Sequence, residues 1–333
     1  MNPPQRDGEN SAIAPSLPAV AAAPVPAVGG PTSAAPVDGA PVPVPAVVPA
    51  AATAVVWPDD LYSQRACAWP RRVRKQGPVR MISPEEVPGW IVYEDERLLV
   101  VNKPGDVVCH PSKAGPWSSL VGALREYAQL ATVHLVFRLD RETSGVIVLA
   151  KDARMASRLQ VAMQERRVGK SYWAILTGEL AAPISVDQPL GDDVHSVVFM
   201  KSAVVAVGEG QAAVTHFTPI ARAGGFTLAR VVTETGRKHQ IRAHAQWLGH
   251  SLVGDKIYGP DARLYLDFVD HGWTEALATR LWLPRQALHC ASIDLRAAGL
   301  TQVFTAPLAT DLREFCRAHG LEWPVSTETA GAF

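Results

Sequence analysis

Apolar and polar positions change rhythm along the chain in a way that separates strands from helices. Residues 91–105, IVYEDERLLVVNKPG, carry two short apolar runs around a charged turn, and Pro104-Gly105 ends the second run. Between 118 and 130, Leu120, Ala123, Leu124 and Tyr127 recur at helical spacing and share one face. VHLVF at 133–137 and VIVLA at 146–150 flank a polar stretch, which predicts strand, polar turn, strand. Asp152 stands where an N-cap belongs, ahead of a helix predicted to about Arg167 with Met155, Leu159 and Met163 every four residues. KSYWAILT at 170–177 predicts a strand bearing aromatics, 185–225 strands and turns, and 226–234 another strand. Gly236 is expected to open a helix through HQIRAHAQWLG to Gly249; Ile241, Ala245 and Leu248 form its apolar stripe, and His239, Arg242 and Gln246 point elsewhere. A further strand is predicted near 286–295, and a last helix over DLREFCRAH before a loose tail. Strands outnumber helices without a regular β–α alternation, so the predicted class is α+β.

Composition changes this picture at the N-terminus. Twelve of the 27 prolines fall in residues 1–50, among Ala, Val and Gly, and proline removes donors from helix and sheet alike. Residues 1–56 are therefore expected to be a disordered Ala/Pro-rich tail and 57–89 an irregular basic extension; the rest suits one large domain or two small ones, and the resemblance described below implies one catalytic domain over 90–300, with 301–333 packing on it and ending loosely. The recurring prolines argue against a membrane span, and the acids and prolines of MNPPQRDGENS argue against a secretory signal. Cys67, Cys109, Cys290 and Cys316 are widely spaced, which disfavours a zinc site or a disulfide framework and makes a reducing cytosol the default. The formal net charge is zero, so the chain is no general polyanion magnet. Yet Arg65, Arg71, Arg72, Arg74, Lys75 and Arg80 fall together with no acid among them, a patch suited to phosphates or to a solvated linker.

The candidate chemistry sits in polar clusters edged by apolar strands. In RLDRETSG at 138–145, Asp140 stands between two arginines at a turn. Flanking cations favour its ionised form, which suits a nucleophile or an electrostatic stabiliser better than a general acid. The bland alternative is a turn-forming aspartate in a local ion pair. The other clusters are VNKPGDVVCHP at 101–111, Lys170-Ser171-Tyr172, and TGRKHQIRAH at 235–244 followed by VGDKIYG at 253–259. Tyr172 could equally be core, and Arg242 could be a surface ion pair. His239, His244, His250 and His289 occupy no metal-ligand spacing, so no metal is expected.

In this order the clusters resemble the RluA-type RNA pseudouridine synthases. The matching residues are Asn102-Lys103-Pro104 with His110-Pro111, the run 138–145, Lys170-Tyr172-Ala174, the runs 235–244 and 254–259, and RQALH at 285–289. Two departures stand out. Phe137 replaces the His that usually precedes Arg-Leu-Asp, and the glycine of the first segment comes one place early, at Gly105, with Asp106 in its usual position. Cys290 for Ala looks minor.

The resemblance implies a mixed, mainly antiparallel sheet with helices and loops around a central catalytic cleft. It implies isomerisation of a uridine in tRNA or an rRNA stem-loop, flipped out of its stack, with no cofactor. Asp140 is then the catalytic carboxylate, Arg242 its cationic partner and Tyr172 the residue on the uracil face, near the C5 proton that must leave. Arg138, Arg141, Lys103, His110, Thr143, Lys170, Arg237, His239 and Gln240 are the expected substrate contacts. A preceding S4-type RNA-binding domain, present in many relatives, finds no room here. The remaining expectations are a cytoplasmic protein, RNA as partner, no membrane, no obligatory protein partner and a monomer. Two other readings use the same residues: a silent RNA-binding protein, and a glycoside hydrolase, which needs a second carboxylate that only Glu142 offers nearby.

Overall fold

The structure, a computed structural model, describes residues 80–110 and 114–322. The expected tail, nearly all of the basic extension and the loose C-terminus lie outside the described residues. Of the basic patch only Arg80 is described, and it is paired with Glu86 at 2.6 Å and Asp106 at 2.5 Å.

The strands are β1 (Ile91–Glu94), β2 (Leu98–Lys103), β3 (His134–Leu135), β4 (Ser144–Ala150), β5 (Gly169–Thr177), β6 (Ile184–Asp187), β7 (Leu190–Asp192), β8 (Ser202–Val204), β9 (Val214–Ala223), β10 (Phe226–Thr233), β11 (Leu288–Asp294) and β12 (Val303–Thr305). The helices are α1 (Leu120–Tyr127), α2 (Ala153–Gln164), α3 (Gln240–Trp247), α4 (Arg263–His271), α5 (Glu275–Leu281) and α6 (Thr310–Ala318). One ten-stranded sheet runs β1-β2-β4-β11-β5-β10-β9-β6, with β12 added on β11 and β3 on β4; β7 and β8 form a separate hairpin. The fold is α+β, and every pairing is antiparallel except β4 with β11, near the middle of the sheet.

Burial explains the arrangement. All seven residues of β4 and all seven of β11 are buried, as expected of strands covered on both faces. Along β5 the two faces alternate. Tyr172, Ala174 and Leu176 join the main core, while Trp173 and Ile175 join a second core with Leu312, Phe315 and Cys316 of α6. The α2 helix starts as the sequence predicts: the Asp152 carboxylate accepts from Met155 N at 2.7 Å. Among the described residues no helix is long and apolar enough to cross a membrane.

Two predicted elements differ, and two helices were not predicted. The strand expected over 133–137 pairs with β4 only at His134 and Leu135, opposite Ala150 and Leu149, with one further bond from Val136 N to Val148 O at 3.4 Å; β11 takes the same edge of β4 at Ser144 and Gly145. The helix expected from Gly236 starts four residues later. Its preceding loop is closed by Gln240, whose Oε1 accepts from Thr235 Oγ1 (2.7 Å) and Arg237 N (3.0 Å). Finally, α4 and α5 were not anticipated. Leu264, Phe268, Leu277 and Leu281 form their own small cluster, too short in period to stand out, and Thr274 caps α5.

Candidate active site

Parallel neighbours begin at the same end of a sheet. With Ser144 of β4 opposite His289 of β11, the segments that enter these strands meet side by side. Asp140 lies just before β4 and Gln286 just before β11. Gln286 is buried, and its Nε2 donates to Thr143 Oγ1 at 2.7 Å and to Asp140 Oδ2 at 3.3 Å. The turn is held from beneath by Lys103, which is fully buried. Its ammonium donates to the carbonyls of Pro104, Val107 and Arg141 at 2.7, 2.8 and 2.9 Å, and burial pushes its pKa down to about 8. Lys103 was expected to meet substrate; its ammonium is instead bound to three backbone carbonyls and clasps the turn that carries Asp140.

Arg242 reaches Asp140 from α3. Its Nη1 donates to Asp140 Oδ2 at 2.9 Å, while Nε and Nη2 bind both oxygens of Asp255 at 2.7 and 2.9 Å. Asp255 is fully buried and also accepts from Ile257 N and Tyr258 N, so it fixes the guanidinium in place. The Tyr258 ring backs that guanidinium at 4.8 Å. Burial alone would raise the Asp140 pKa, but the Arg242 charge, then His239 and hydrogen bonds from Gln286 and Arg242, hold it below the usual carboxylate range. Among the described residues, Asp140 Oδ1 has no hydrogen-bond donor, and a third of the side chain remains accessible.

The accessible face opens on a cleft of about 390 Å³ lined by Asp140, Tyr172, Arg242, Phe137, Lys170 and His239, among others. Tyr172 is buried on the face of β5 that meets the cleft. Its phenol is pushed well above its usual pKa by burial, by the neighbouring Cys290 thiol and by Asp140. A phenol so held stays protonated, so its hydroxyl is available as a donor and not as a base. Cys290 is correspondingly not a neutral replacement for alanine, since its thiol contacts the Tyr172 hydroxyl. Lys170, two residues along the same strand, is buried with its ammonium 5.9 Å from the Phe137 ring centroid. It has no ion-pair or hydrogen-bond partner among the described residues.

The remaining expected contacts divide. Arg138, Thr143, Arg237 and His239 line the cleft. Arg138 is exposed and donates to His110 Nε2 at 2.8 Å; His110 itself does not line the cleft. Arg141 is exposed on the turn. Gln240 also borders the cleft, but its side chain is spent on loop closure: besides the two bonds above, Nε2 donates to Val214 O and Thr215 Oγ1. Glu142, the second carboxylate a glycoside hydrolase would need, is bound by Lys256 at 2.8 Å and by Gln286 N and does not line the cleft. Asp255, Tyr258 and Gln286 received no role from the sequence, although they lie inside the quoted GDKIYG and RQALH runs. Arg285 of the second run clarifies Gly105: a Cβ there would fall 2.6 Å from the Arg285 side chain, which Asp311 pins with two bonds.

Comparison with known proteins places the chain in a family. The sequence profile of the family described as RNA pseudouridylate synthase matches residues 97–247. The chain is 36% identical over 252 residues to ribosomal large subunit pseudouridine synthase D of Vibrio vulnificus, covering 71% of this chain and 74% of the relative. The protein of the same name from Pseudomonas aeruginosa is 36% identical over 227 residues, 66% of this chain and 68% of that one. Among solved structures, human RNA pseudouridylate synthase domain containing 4 superposes with a TM-score of 0.59 at 25% identity, over 72% of this chain and 97% of its own.

Proposed function

The chain belongs to the RNA pseudouridylate synthase family and isomerises uridine to pseudouridine in RNA; from that premise we propose that its substrate is a uridine of large-subunit ribosomal RNA and that Asp140 is the carboxylate at the ribose. The RNA class rests on the relatives, which are ribosomal large subunit enzymes by name. The observation that carries the role of Asp140 is its asymmetry. Arg242 and Gln286 hold Oδ2, while Oδ1 faces the cleft without a donor.

The reaction breaks the N1–C1′ bond, turns the base and joins C5 to C1′. An ionised carboxylate fixed beside C1′ supports this as a nucleophile or by stabilising a glycal route, and a fixed cation behind it costs no reorganisation during the reaction. The uridine enters the cleft flipped from its stack. Tyr172 presents a ring on which uracil can rotate without losing contact, and its hydroxyl, held protonated, serves as a donor. Lys170 offers an uncompensated positive charge to the anionic groups of the substrate, and Arg138, Arg141 and Arg237 grip phosphates at the mouth.

The test is a map of pseudouridine across ribosomal and transfer RNA in a strain lacking the protein. At least one large-subunit rRNA site should lose its pseudouridine, regain it with the wild-type gene, and fail to regain it with Asp140→Asn. Loss confined to tRNA would overturn the RNA class, and restoration by Asp140→Asn would overturn the role of the carboxylate.

A further inference from the structure

His239 occupies a backbone conformation that few side chains adopt. Its φ is +56°, in the left-handed region, at the entry to α3. Such a conformation is retained when surrounding contacts over-determine it, and here they do. The imidazole stands edge-on to the buried Tyr258 ring, centroids 5.5 Å apart, and Nδ1 lies 2.9 Å from the Tyr258 hydroxyl. That hydroxyl already accepts from Ser202 N at 2.7 Å. A phenol oxygen has one in-plane acceptor position and one hydrogen. With the acceptor position taken by Ser202, the hydrogen is directed to Nδ1, since a buried O–H left unpaired would be costly. Nδ1 is therefore an acceptor, and the proton of the neutral ring sits on Nε2. Burial and the nearby Arg242 charge keep the ring neutral, with its pKa down at about 4. Nε2 is 3.9 Å from Asp140 Oδ2, too far for a hydrogen bond, so this N–H faces the cleft unspent beside the carboxylate.

We propose that His239, locked as the Nε2–H tautomer by Tyr258 and Ser202, is a catalytic hydrogen-bond donor to the uracil O2 as the base leaves C1′. This inference rests on the uridine-isomerase reading. When N1–C1′ breaks, the bond's electron pair goes to the uracil ring and spreads onto O2 and O4. When C5 bonds to C1′, a ring electron pair forms the new bond while C1′ gives up its bond to the Asp140 oxygen (on the glycal route, C2′ instead regains the proton Asp140 had taken), the C5 proton leaves to solvent, and N1 takes up a proton. The charge on O2 exists only between these events. A neutral donor stabilises it without first neutralising Asp140, which a protonated imidazole at that distance would do. Tyr258 does not touch the substrate; it is a positioning residue that acts through His239.

The experiment measures tritium released from a [5-³H]uridine-labelled, unmodified transcript of the organism's large-subunit rRNA. His239→Asn tolerates the left-handed backbone but is too short to reach. It should lose ~100-fold in kcat with KM within about threefold, the scale of one donor to a developing oxyanion. His239→Gln, which restores a neutral N–H at similar reach, should recover most of that loss. Tyr258→Phe keeps the ring against Arg242 and should lose ~10-fold in kcat, and in the double variant with His239→Asn it should add nothing further. A His239→Asn loss carried by KM would indicate a ground-state contact and overturn the proposal. So would a kcat within about threefold of wild type, a Gln variant as poor as Asn, or additive losses in the double variant. Absence of tritium release from the wild-type enzyme would instead overturn the rRNA reading.

Discussion

Asp140→Asn removes one charge and little else, so its consequences separate chemistry from folding. Arg242 keeps its two bonds to Asp255, and thermal stability should stay within about 1 kcal/mol of wild type while single-turnover isomerisation falls by at least ~10⁴-fold. Asp255→Asn should do the reverse in part. It leaves a buried guanidinium underpaired, costing about 3 kcal/mol in denaturant unfolding, and loosens the cation that holds Asp140. The pH dependence follows from signs. His239 and His289 have folded pKa values depressed to about 4, so the unfolded chain binds more protons below 6.5. Their contribution to stability is complete above 6.5 and is lost as pH falls towards 4, where Asp140 and Asp255, also depressed, begin to add their own loss. Melting temperature should therefore decline from pH 6.5 downward while single-turnover rate, measured below the melt, shows no acid limb from Asp140 above pH 5. That Asp140, Tyr172 and Arg242 belong together was legible only from the order of the motifs, and the structure brings the three to one cleft. Lys103 was not legible: a lysine at the end of an apolar strand reads the same whether its ammonium meets a ligand or three carbonyls.

At the scale of elements, the parallel contact between β4 and β11 decides where the site lies. Gly145 makes that contact possible. Its φ is +108°, and a Cβ there would fall 2.2 Å from the Cys290 carbonyl oxygen. Gly145→Ala should cost about 3 kcal/mol or more, through backbone strain and a clash with backbone that cannot rotate away. At a temperature where the variant remains folded, its single-turnover rate should still be depressed, because Asp140 and Gln286 are brought together through this pair. A native-like rate in the folded variant would show that the Asp140 turn is positioned independently of the strand pair. The elements with strong period were readable, such as α2 with its Asp152 cap and the apolar runs of β4 and β5. The start of α3 was not, because Gln240 closes the loop before it through contacts to Val214 and Thr215, more than twenty residues away.

For the whole molecule, the open question is whether the basic run at 65–80 adds to the RNA grip of the cleft or is a solvated linker. If Arg71, Arg72, Arg74 and Lys75 contact phosphates, their replacement by Ala should lower affinity and reduce the log–log salt slope by about 0.7–0.9 per lost contact. Deleting residues 2–50, which carry only four charged residues, should change neither. Filter binding of the rRNA transcript at several salt concentrations reads both, and an unchanged slope in the first variant would assign the grip to the catalytic domain alone. The order of the strands in the sheet also has a consequence in time. Asp140 and Gln286 are 146 residues apart, and β11 inserts between β4 and β5, which were made long before it. A chain emerging from the ribosome can pair β2 with β4 and β5 with β10, but these halves have no common middle until β11 arrives. Such distant closure is slow relative to local pairing. A nascent chain stalled before residue 286 thus holds an aspartate that has not yet met its glutamine.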